Sequence, residues 1–365
     1  MTRLSELGES HVLQRILTHN RSGSQVIIGP GDDAAVTAVE GNLVSTADML
    51  VENEDFTRDW LDWGRLGIKA AAQNLSDVCV MGAKPHGLLV SLAVPDSTEI
   101  DDLEALFAGI VAEAARAGQA LSCEVPIIGG DLSSSGLIVV AITALGTVGG
   151  SGVTSAGSGA AITRSGAQPG DSIYLAGTIG RAAAGLDLLF SGAQATLPVE
   201  LSALIDTQLA PQPDYGAVLN MRGASAMIDV SDGLSTDLDR VVSASGVHAR
   251  IERDCLDELI EPLLPAARYL LEHRRGLAGQ SEQAGQAGQA GQSAGTESDN
   301  SAKAVEALAL TWVLNGGEDH GFVASSAQFD TPPVGWRRIG EMRAGSGVSL
   351  DGAPVPTSGF SHFGK

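Results

Sequence analysis

Six short segments of this chain place acidic residues among small or flexible neighbours, and most of them follow an apolar run. They lie at residues 31–33, 46–48, 74–77, 129–131, 229–233 and 316–319. This pattern predicts carboxylates where a strand ends and the chain turns, which is where α/β proteins bind ligands. Converging carboxylates repel each other unless a cation lies between them, and Mg²⁺ takes oxygen ligands and bridges to phosphates. The first hypothesis is therefore metal-dependent nucleotide chemistry.

Strand-like and helix-like patterns alternate along the chain and predict an α/β (α+β) fold with two domains. Residues 61–81 have a helical pattern that places Asn74 and Asp77 on one face, because they are three residues apart. The Gly- and Ser-rich stretch at 149–160 predicts the boundary between domains at 1–150 and 151–365. Further helices are predicted at 103–114, 181–190, 214–222 and 234–243, and strands at 43–45, 87–94, 125–128, 137–148, 171–176 and 226–230.

Residues 276–301 differ from the rest, because Ala-Gly-Gln recurs among Ser, Glu and Asp with almost no large apolar side chain. Such a segment has little to bury and predicts a disordered low-complexity insertion on the surface. A loop of this length costs little entropy to close. We therefore expect the fold and the activity to tolerate its removal.

The charge and cysteine content exclude several classes of protein. A formal net charge of -22 argues against a nucleic-acid binder, since no basic stripe is available to neutralise phosphates. Three scattered cysteines without a CxxC pair indicate neither a disulfide framework nor a zinc site. The first residues lack a signal-peptide pattern and no run has the length of a membrane span, so a cytoplasmic protein is expected.

Familiar catalytic motifs are missing from the sequence. It contains no P-loop, no kinase HRD and DFG pair, no HExxH helix and no GxSxG nucleophile elbow. Electrostatic catalysis by bound metal ions then accounts best for so many carboxylates, because phosphoryl transfer depends mainly on positioning two anions and neutralising the developing charge. Each segment alone is a weak signal that a turn would explain, and the hypothesis depends on finding all six in one chain.

Taken in order, these segments resemble the thiamine-monophosphate kinase family, within the aminoimidazole ribonucleotide synthetase-like superfamily. The resemblance covers nearly the whole chain apart from 276–301, and it is carried by residues 28–35, 74–83, 127–131, 163–171, 228–234 and 316–319. It implies ATP-dependent phosphorylation of thiamine monophosphate to thiamine diphosphate, with several Mg²⁺ ions and no phospho-enzyme. It also implies a two-domain fold whose N-terminal domains pair into a homodimer through a β-barrel-like interface.

The resemblance also implies roles for individual residues. No covalent nucleophile is expected, and Asp77 is the predicted bridging metal ligand. The metal set that it implies is Asp33, Thr46, Ala47, Asp48, Asp77, Asp131, Asp229 and Asp232. The implied contacts to ATP are Gly130, Asp131, Arg164 and Ser231, and the implied contacts to the thiamine substrate are Asp55, Glu318 and Phe360.

Three positions depart from the family pattern. Ala47 lacks a hydroxyl, so any metal ligand there is a backbone oxygen, while Asp55 replaces a common histidine and Ser361 a common aspartate. Two alternatives stay open: another ATP-dependent synthetase of the superfamily, or a thiamine-phosphate-binding homologue without catalysis. For single residues, Asp32 and Asp171 fit turns, and His320 fits a packing variant where tyrosine is common.

Overall fold

The computed structural model describes residues 2–7, 9–149, 160–192, 197–283 and 294–356, which form two α/β units. The N-terminal unit consists of α1 (Glu9–Ile16), β1 (Val26–Ile28), β2 (Val36–Thr37), β3 (Asn42–Val51), α2 (Trp63–Val80), β4 (Lys84–Val94), α3 (Ile100–Leu121), β5 (Ile127–Ser134) and β6 (Val139–Val148). The C-terminal unit consists of β7 (Ser172–Ala176), α4 (Arg181–Phe190), α5 (Val199–Leu209), α6 (Ala217–Asn220), β8 (Ala226–Val230), α7 (Leu234–Ser245), β9 (Val247–Ile251), α8 (Asp257–Ile260), α9 (Leu264–Gln283), α10 (Ala294–Asn315), β10 (Gly321–Ser326), β11 (Trp336–Ala344), β12 (Val348–Leu350) and β13 (Ala353–Pro354).

The N-terminal sheet has four strands in the order β3-β6-β4-β5. Along β6 buried and half-buried residues alternate strictly, as expected for a sheet with one face in a core. Helices α2 and α3 form that core. They approach closely because Gly67 and Gly109 face each other's helix, and a Cβ at either would lie 2.1 Å from a carbonyl oxygen of the opposite helix. The other face of the sheet stays open in the single chain.

The C-terminal sheet has seven strands in the order β13-β12-β9-β11-β7-β10-β8. Every residue of β8 and β10 is buried, so both faces of the sheet are covered there. One face packs on α7 and α10, while the other contributes Tyr174, Met227 and Phe322 to the same core as α2 and α3. Helix α2 is therefore packed between the two sheets, and the two units share one apolar core.

The predicted elements are largely confirmed, including α2, α4 and β8. The strands predicted at 43–45 and 125–128 are too short, because β3 continues to Val51 and β5 to Ser134. Asp48 and Asp131 therefore lie within strands and not beyond their ends, contrary to the expectation. Both strands are at an edge of the sheet, and β5 tolerates glycines since it pairs only with β4.

Two predicted segments fall partly on residues outside the described ones. The predicted boundary at 149–160 lies mostly on residues 150–159, which are not described. Of the predicted insertion at 276–301, residues 284–293 are not described, whereas α9 runs to Gln283 and α10 begins at Ala294. The two ends of that segment therefore lie in helices, contrary to the expectation, and disorder stays a prediction for the residues between them.

Two large-scale expectations can be compared with the described residues. None of the helices described has the length and apolar character needed to cross a membrane. The described strands of the single chain form open sheets and not a closed barrel.

Candidate active site

Helix α2 brings part of the predicted metal set together on its face toward β3. The Oγ1 of Thr46 donates a hydrogen bond of 2.8 Å to Oδ2 of Asp77. The backbone N–H of Asp48 donates to Oδ1 of the buried Asn74, at 2.9 Å. Thr46 and Asp48 face the helix because alternate residues of a strand share a face. The side chain of Ala47 is exposed on the opposite face, so only its backbone could serve as a ligand.

The C-terminal unit supplies a third carboxylate to this place. Asp229 in β8 is 3% exposed, and its Oδ2 lies 3.4 Å from Oγ of Ser76, which is the neighbour of Asp77 on α2. Nδ1 of His320 is also 3.4 Å from the same oxygen and from the Ser76 hydroxyl. We call Thr46, Asp48, Asp77, Asp229 and His320 the junction cluster, since it lies where the two units meet.

The junction cluster carries more negative charge than its surroundings balance. Burial raises the pKa of Asp77 to about 8, and the charges of Asp229 and Asp48 add to the shift. The pKa of Asp48 is raised as well, by burial first and then by Asp229. Burial opposes the charged form of His320, but the hydrogen bond and charge of Asp229 outweigh it, and the histidine pKa is raised. The cluster therefore attracts a cation.

The segment 316–320 contributes His320 to the junction cluster and places Glu318 next to it. Glu318 has a left-handed backbone (φ 71°), and its N–H donates to the Ser231 carbonyl at 2.9 Å. Its carboxylate pairs with the ammonium of Lys69, which lies on α2. Asp319 is buried and accepts hydrogen bonds from the first N–H groups of α4, while burial raises its pKa to about 6. The predicted substrate residue Glu318 is thus placed beside the predicted metal ligands.

Asp232 lies next to the cluster but is bound to α7. Its carboxylate pairs with Arg240, and its N–H donates to Oδ2 of Asp237 at 2.9 Å. Burial raises the pKa of Asp237 to about 7, with the charges of Asp229 and Asp232 contributing. Ser231 is half-buried between Asp232 and the Glu318 loop. A ligand that recruits Asp232 has to compete with Arg240 for it.

Two predicted metal ligands, Asp33 and Asp131, lie outside the junction cluster. Asp33 is exposed in the turn between β1 and β2. Asp131 pairs with Ser91 across β4 and β5, on the face of the sheet that the helices leave open. Asp48 instead shares the covered face with Ile142 and Val90, and three strand spacings, about 14 Å, separate it from β5.

The remaining predicted residues occupy other places. Gly130 lies so close to β4 that a Cβ would be 1.9 Å from the Val90 carbonyl oxygen. Packing alone therefore requires a glycine at this position. Arg164 is exposed, and its carbonyl accepts from Ser245. Oδ2 of Asp55 accepts from the Val51 N–H at 2.8 Å in the turn after β3. Phe360 and Ser361 lie outside the described residues.

The sequence interpretation missed His320 in the junction cluster and Ser76 and Lys69 beside it. One signal was available: Lys69 is the lone charged residue between Arg65 and Asp77, and it directly precedes the alanine run at 70–72. A charge on a core-facing helix indicates a specific partner, because an unpaired buried charge is costly. His320 gave no comparable signal, since its partners Ser76 and Asp229 are distant in the chain.

The residues of the junction cluster fit a hard divalent cation. The described residues contain no group of three or more histidine, cysteine, aspartate or glutamate side chains already arranged to hold a metal. Mg²⁺ takes one or two carboxylates and keeps waters and substrate phosphates as its other ligands, so Asp48 and Asp77 would be enough to hold it. The charge of Asp229 helps to raise the pKa of Asp48 and Asp77, and a bound cation would relieve this repulsion.

Two family domains match the chain. Residues 31–148 match the N-terminal domain, and residues 168–282 the C-terminal domain, of AIR synthase related proteins. The two sheets with a carboxylate cluster between them thus define a protein of the AIR synthase related class.

Comparison with individual proteins narrows this class. The chain is 35% identical over 99% of its length to thiamine-monophosphate kinase of Mycobacterium tuberculosis, 93% of which is covered. A solved thiamine-monophosphate kinase from Stenotrophomonas maltophilia has a TM-score of 0.68 at 29% identity, covering 95% of this chain and 96% of that one. AaThiL complexed with AMPPCP and TMP has a TM-score of 0.65 at 27% identity, covering 100% and 99%. The chain belongs to the thiamine-monophosphate kinase family.

Proposed function

We infer that the protein transfers the γ-phosphoryl group of ATP to the phosphate of thiamine monophosphate, giving thiamine diphosphate and ADP. A relative that aligns with nearly the full length of this chain, and of its own, is named thiamine-monophosphate kinase. A solved structural neighbour is a complex with AMPPCP and TMP. The observation that carries the proposal for this chain is the meeting of Asp48 and Asp77 with Asp229 at the junction of the two units.

The reaction joins two anions, and the chain's own residues prepare a place for them. An oxygen of the monophosphate attacks the γ-phosphorus while the bond to the β,γ-bridging oxygen breaks, and ADP leaves. Thr46 holds one oxygen of Asp77, and Asn74 fixes the backbone of Asp48. Mg²⁺ bound at these carboxylates supplies the positive charge that both phosphates need. The overall charge of -22 is therefore compatible with anionic substrates.

The finer assignments extend this proposal to the rest of the predicted site. Asp48, Asp77 and Asp229 form the inner metal site, with Thr46, the Ala47 backbone and Asp232 beside it. Asp33 and Asp131, which lie apart from the junction cluster, join the site only with a bound ligand or a second chain. Gly130, Arg164 and Ser231 contact ATP, while Glu318, with Asp55 and Phe360, serves the thiamine part. A carboxylate such as Glu318 suits a cationic ring system. The cytoplasmic location stays a prediction.

We also propose that two chains pair through the open face of the N-terminal sheet. Leu43 and Met49 of β3 are 56% and 55% exposed there. Seven of the large apolar side chains that are most exposed in the described residues belong to the N-terminal unit: Ile27, Ile28, Val36, Val39, Leu43, Met49 and Leu137. Burying such a face is the usual reason for a symmetric dimer.

One assay tests the function. Purified protein is incubated with ATP, Mg²⁺ and thiamine monophosphate, and thiamine diphosphate is measured by chromatography. We expect product only when all three are present. Absence of product at every Mg²⁺ concentration would refute the assignment, and ATP hydrolysis without thiamine diphosphate would favour another synthetase of the superfamily.

A further inference from the structure

Lys69 is a buried cation at the junction of the two units. Its side chain is 2% exposed, on an α2 face where Leu66 and Ala70 are also buried. Removing an ammonium group from water is unfavourable unless partners replace the lost hydration. A lysine in this position therefore needs specific partners, and these identify its role.

Both partners of Lys69 come from the C-terminal unit. Its Nζ donates to the Gln208 carbonyl oxygen at 2.9 Å and lies 2.5 Å from Oε2 of Glu318. The first contact anchors the ammonium group to the end of α5. The second directs its charge at the residue predicted to face the thiamine part of the substrate.

Glu318 is held from its backbone as well as from its side chain. Its left-handed backbone is uncommon for a residue with a side chain, and its N–H is bound to Ser231. Gly317 could not carry a side chain, because a Cβ would lie 2.0 Å from the Ser231 carbonyl oxygen. The Glu318 side chain is nevertheless 43% exposed, so a carboxylate fixed at its inner oxygen still presents a surface outward.

We propose that Lys69 is a positioning residue for the thiamine substrate. It holds Oε2 of Glu318 and so keeps the exposed side of that carboxylate oriented toward the cationic ring system. The inference rests on the proposed function and on the role of Glu318 within it. A long, flexible glutamate that is ordered before binding loses less entropy on binding, so the gain is in substrate affinity.

The test compares Lys69→Met with Lys69→Arg and with the matched control Arg65→Met. Arg65 lies one turn earlier on α2 and pairs with Asp206 of α5 at 2.8 Å, so its loss breaks a junction ion pair without touching Glu318. We expect Lys69→Met to raise the KM for thiamine monophosphate about tenfold. The KM for ATP should stay within about twofold. Lys69→Arg should restore part of the loss, and Arg65→Met should match the wild type.

A double-mutant cycle with Glu318→Gln separates positioning from simple stability. If Lys69 acts through Glu318, the KM of the double variant should exceed that of Glu318→Gln alone by much less than tenfold. Lys69→Gln, which keeps a donor for the Gln208 carbonyl, replaces Lys69→Met if that protein does not fold. Equal rises in both KM values, or a lower Tm with unchanged KM values, would overturn the inference. Wild-type protein that forms no thiamine diphosphate would instead overturn the proposed function.

Discussion

The two sheets of this protein are covered in different ways. The seven-stranded C-terminal sheet packs on its own helices α7 and α10 on one face and on the N-terminal unit on the other, so β8 and β10 are buried throughout. The four-stranded N-terminal sheet is covered by α2 and α3 on one face, and its other face exposes Leu43 and Met49. Both faces of the C-terminal sheet are thus covered within the chain, whereas one face of the N-terminal sheet is not.

This difference separates the predicted site into two parts. Asp48, Asp77 and Asp229 lie where both sheets meet α2, and the packing of a single chain already places them together. Asp33 and Asp131 are exposed in the less covered N-terminal unit, and packing within the chain does not bring them to the cluster. In the proposed site, packing within one chain thus supplies Asp48, Asp77 and Asp229, whereas Asp33 and Asp131 would join them only with a ligand or a second chain.

The largest expected effect is that of Asp77→Asn, at the junction of the two units. Turnover should fall by at least about 100-fold, because an amide cannot replace the charge of a bridging carboxylate. At a pH above the raised pKa of Asp77, about 8, the Tm should not fall, since a neutral side chain then relieves the repulsion from Asp229 and Asp48. The chromatographic assay and thermal unfolding measure the two effects. The exposed junction residue Asp206, changed to Asn, should keep normal turnover. A near-normal rate in Asp77→Asn would show that the junction carboxylates are not required.

The open face is tested by Leu43→Lys together with Met49→Lys. If a second chain covers this face, two buried ammonium groups should weaken the dimer at least about tenfold, because neither gains a partner. Size-exclusion chromatography with light scattering measures the mass over a range of concentrations. The matched control is Val199→Lys with Val334→Lys, which are 83% and 84% exposed in the C-terminal unit. An unchanged dimer in the first variant, or loss of the dimer in the control, would contradict the proposal that two chains pair through the open face of the N-terminal sheet.

The elements of the fold could be predicted where the pattern is local. The alanine-rich run of α2, the turn before α4 and the apolar run of β8 lie within a few residues of their signals. The ranges predicted for β3 and β5 are too short because Asp48 and the Gly129-Gly130 pair resemble strand ends, whereas an edge strand tolerates such residues. Neighbours in sequence cannot reveal which strand lies at an edge.

The site was predictable as a set of residue types and not as an arrangement. The candidate carboxylates could be identified from the six acidic segments. Which of them lie in the junction cluster, and which, like Asp131, lie apart from it, depends on which face of each strand is covered. Local sequence signals do not identify the partners of Lys69, because Gln208 and Glu318 are 139 and 249 residues away in the chain. Long-range pairing of this kind is decided by packing, which a single sequence does not show.

A moderate effect is expected where the N-terminal helices meet the C-terminal unit, in Tyr215→Phe. The buried Tyr215 hydroxyl donates to Oε1 of Glu113 on α3 at 2.7 Å, and Arg116 binds the same carboxylate. Its loss should lower the free energy of unfolding by about 1–3 kcal/mol, since Glu113 is left with an unsatisfied lone pair. Urea unfolding measures the change. The KM values should not change, because the contact involves none of the residues of the junction cluster. A loss of turnover without a loss of stability would contradict this view of the contact as structural.

The smallest effect is expected between α9 and α10, outside both sheets. Replacing residues 284–293 with a Gly-Ser linker of equal length removes the densest Ala-Gly-Gln repeats and keeps the described helices intact. The repeats have almost no apolar surface to contribute to either sheet, so kcat and Tm should stay within error of the wild type. Enzyme kinetics and thermal unfolding of the two proteins provide the measurement. A folded variant with reduced turnover would show that the repeats contact the active site, and the comparison of two sheets would then have to include this third region.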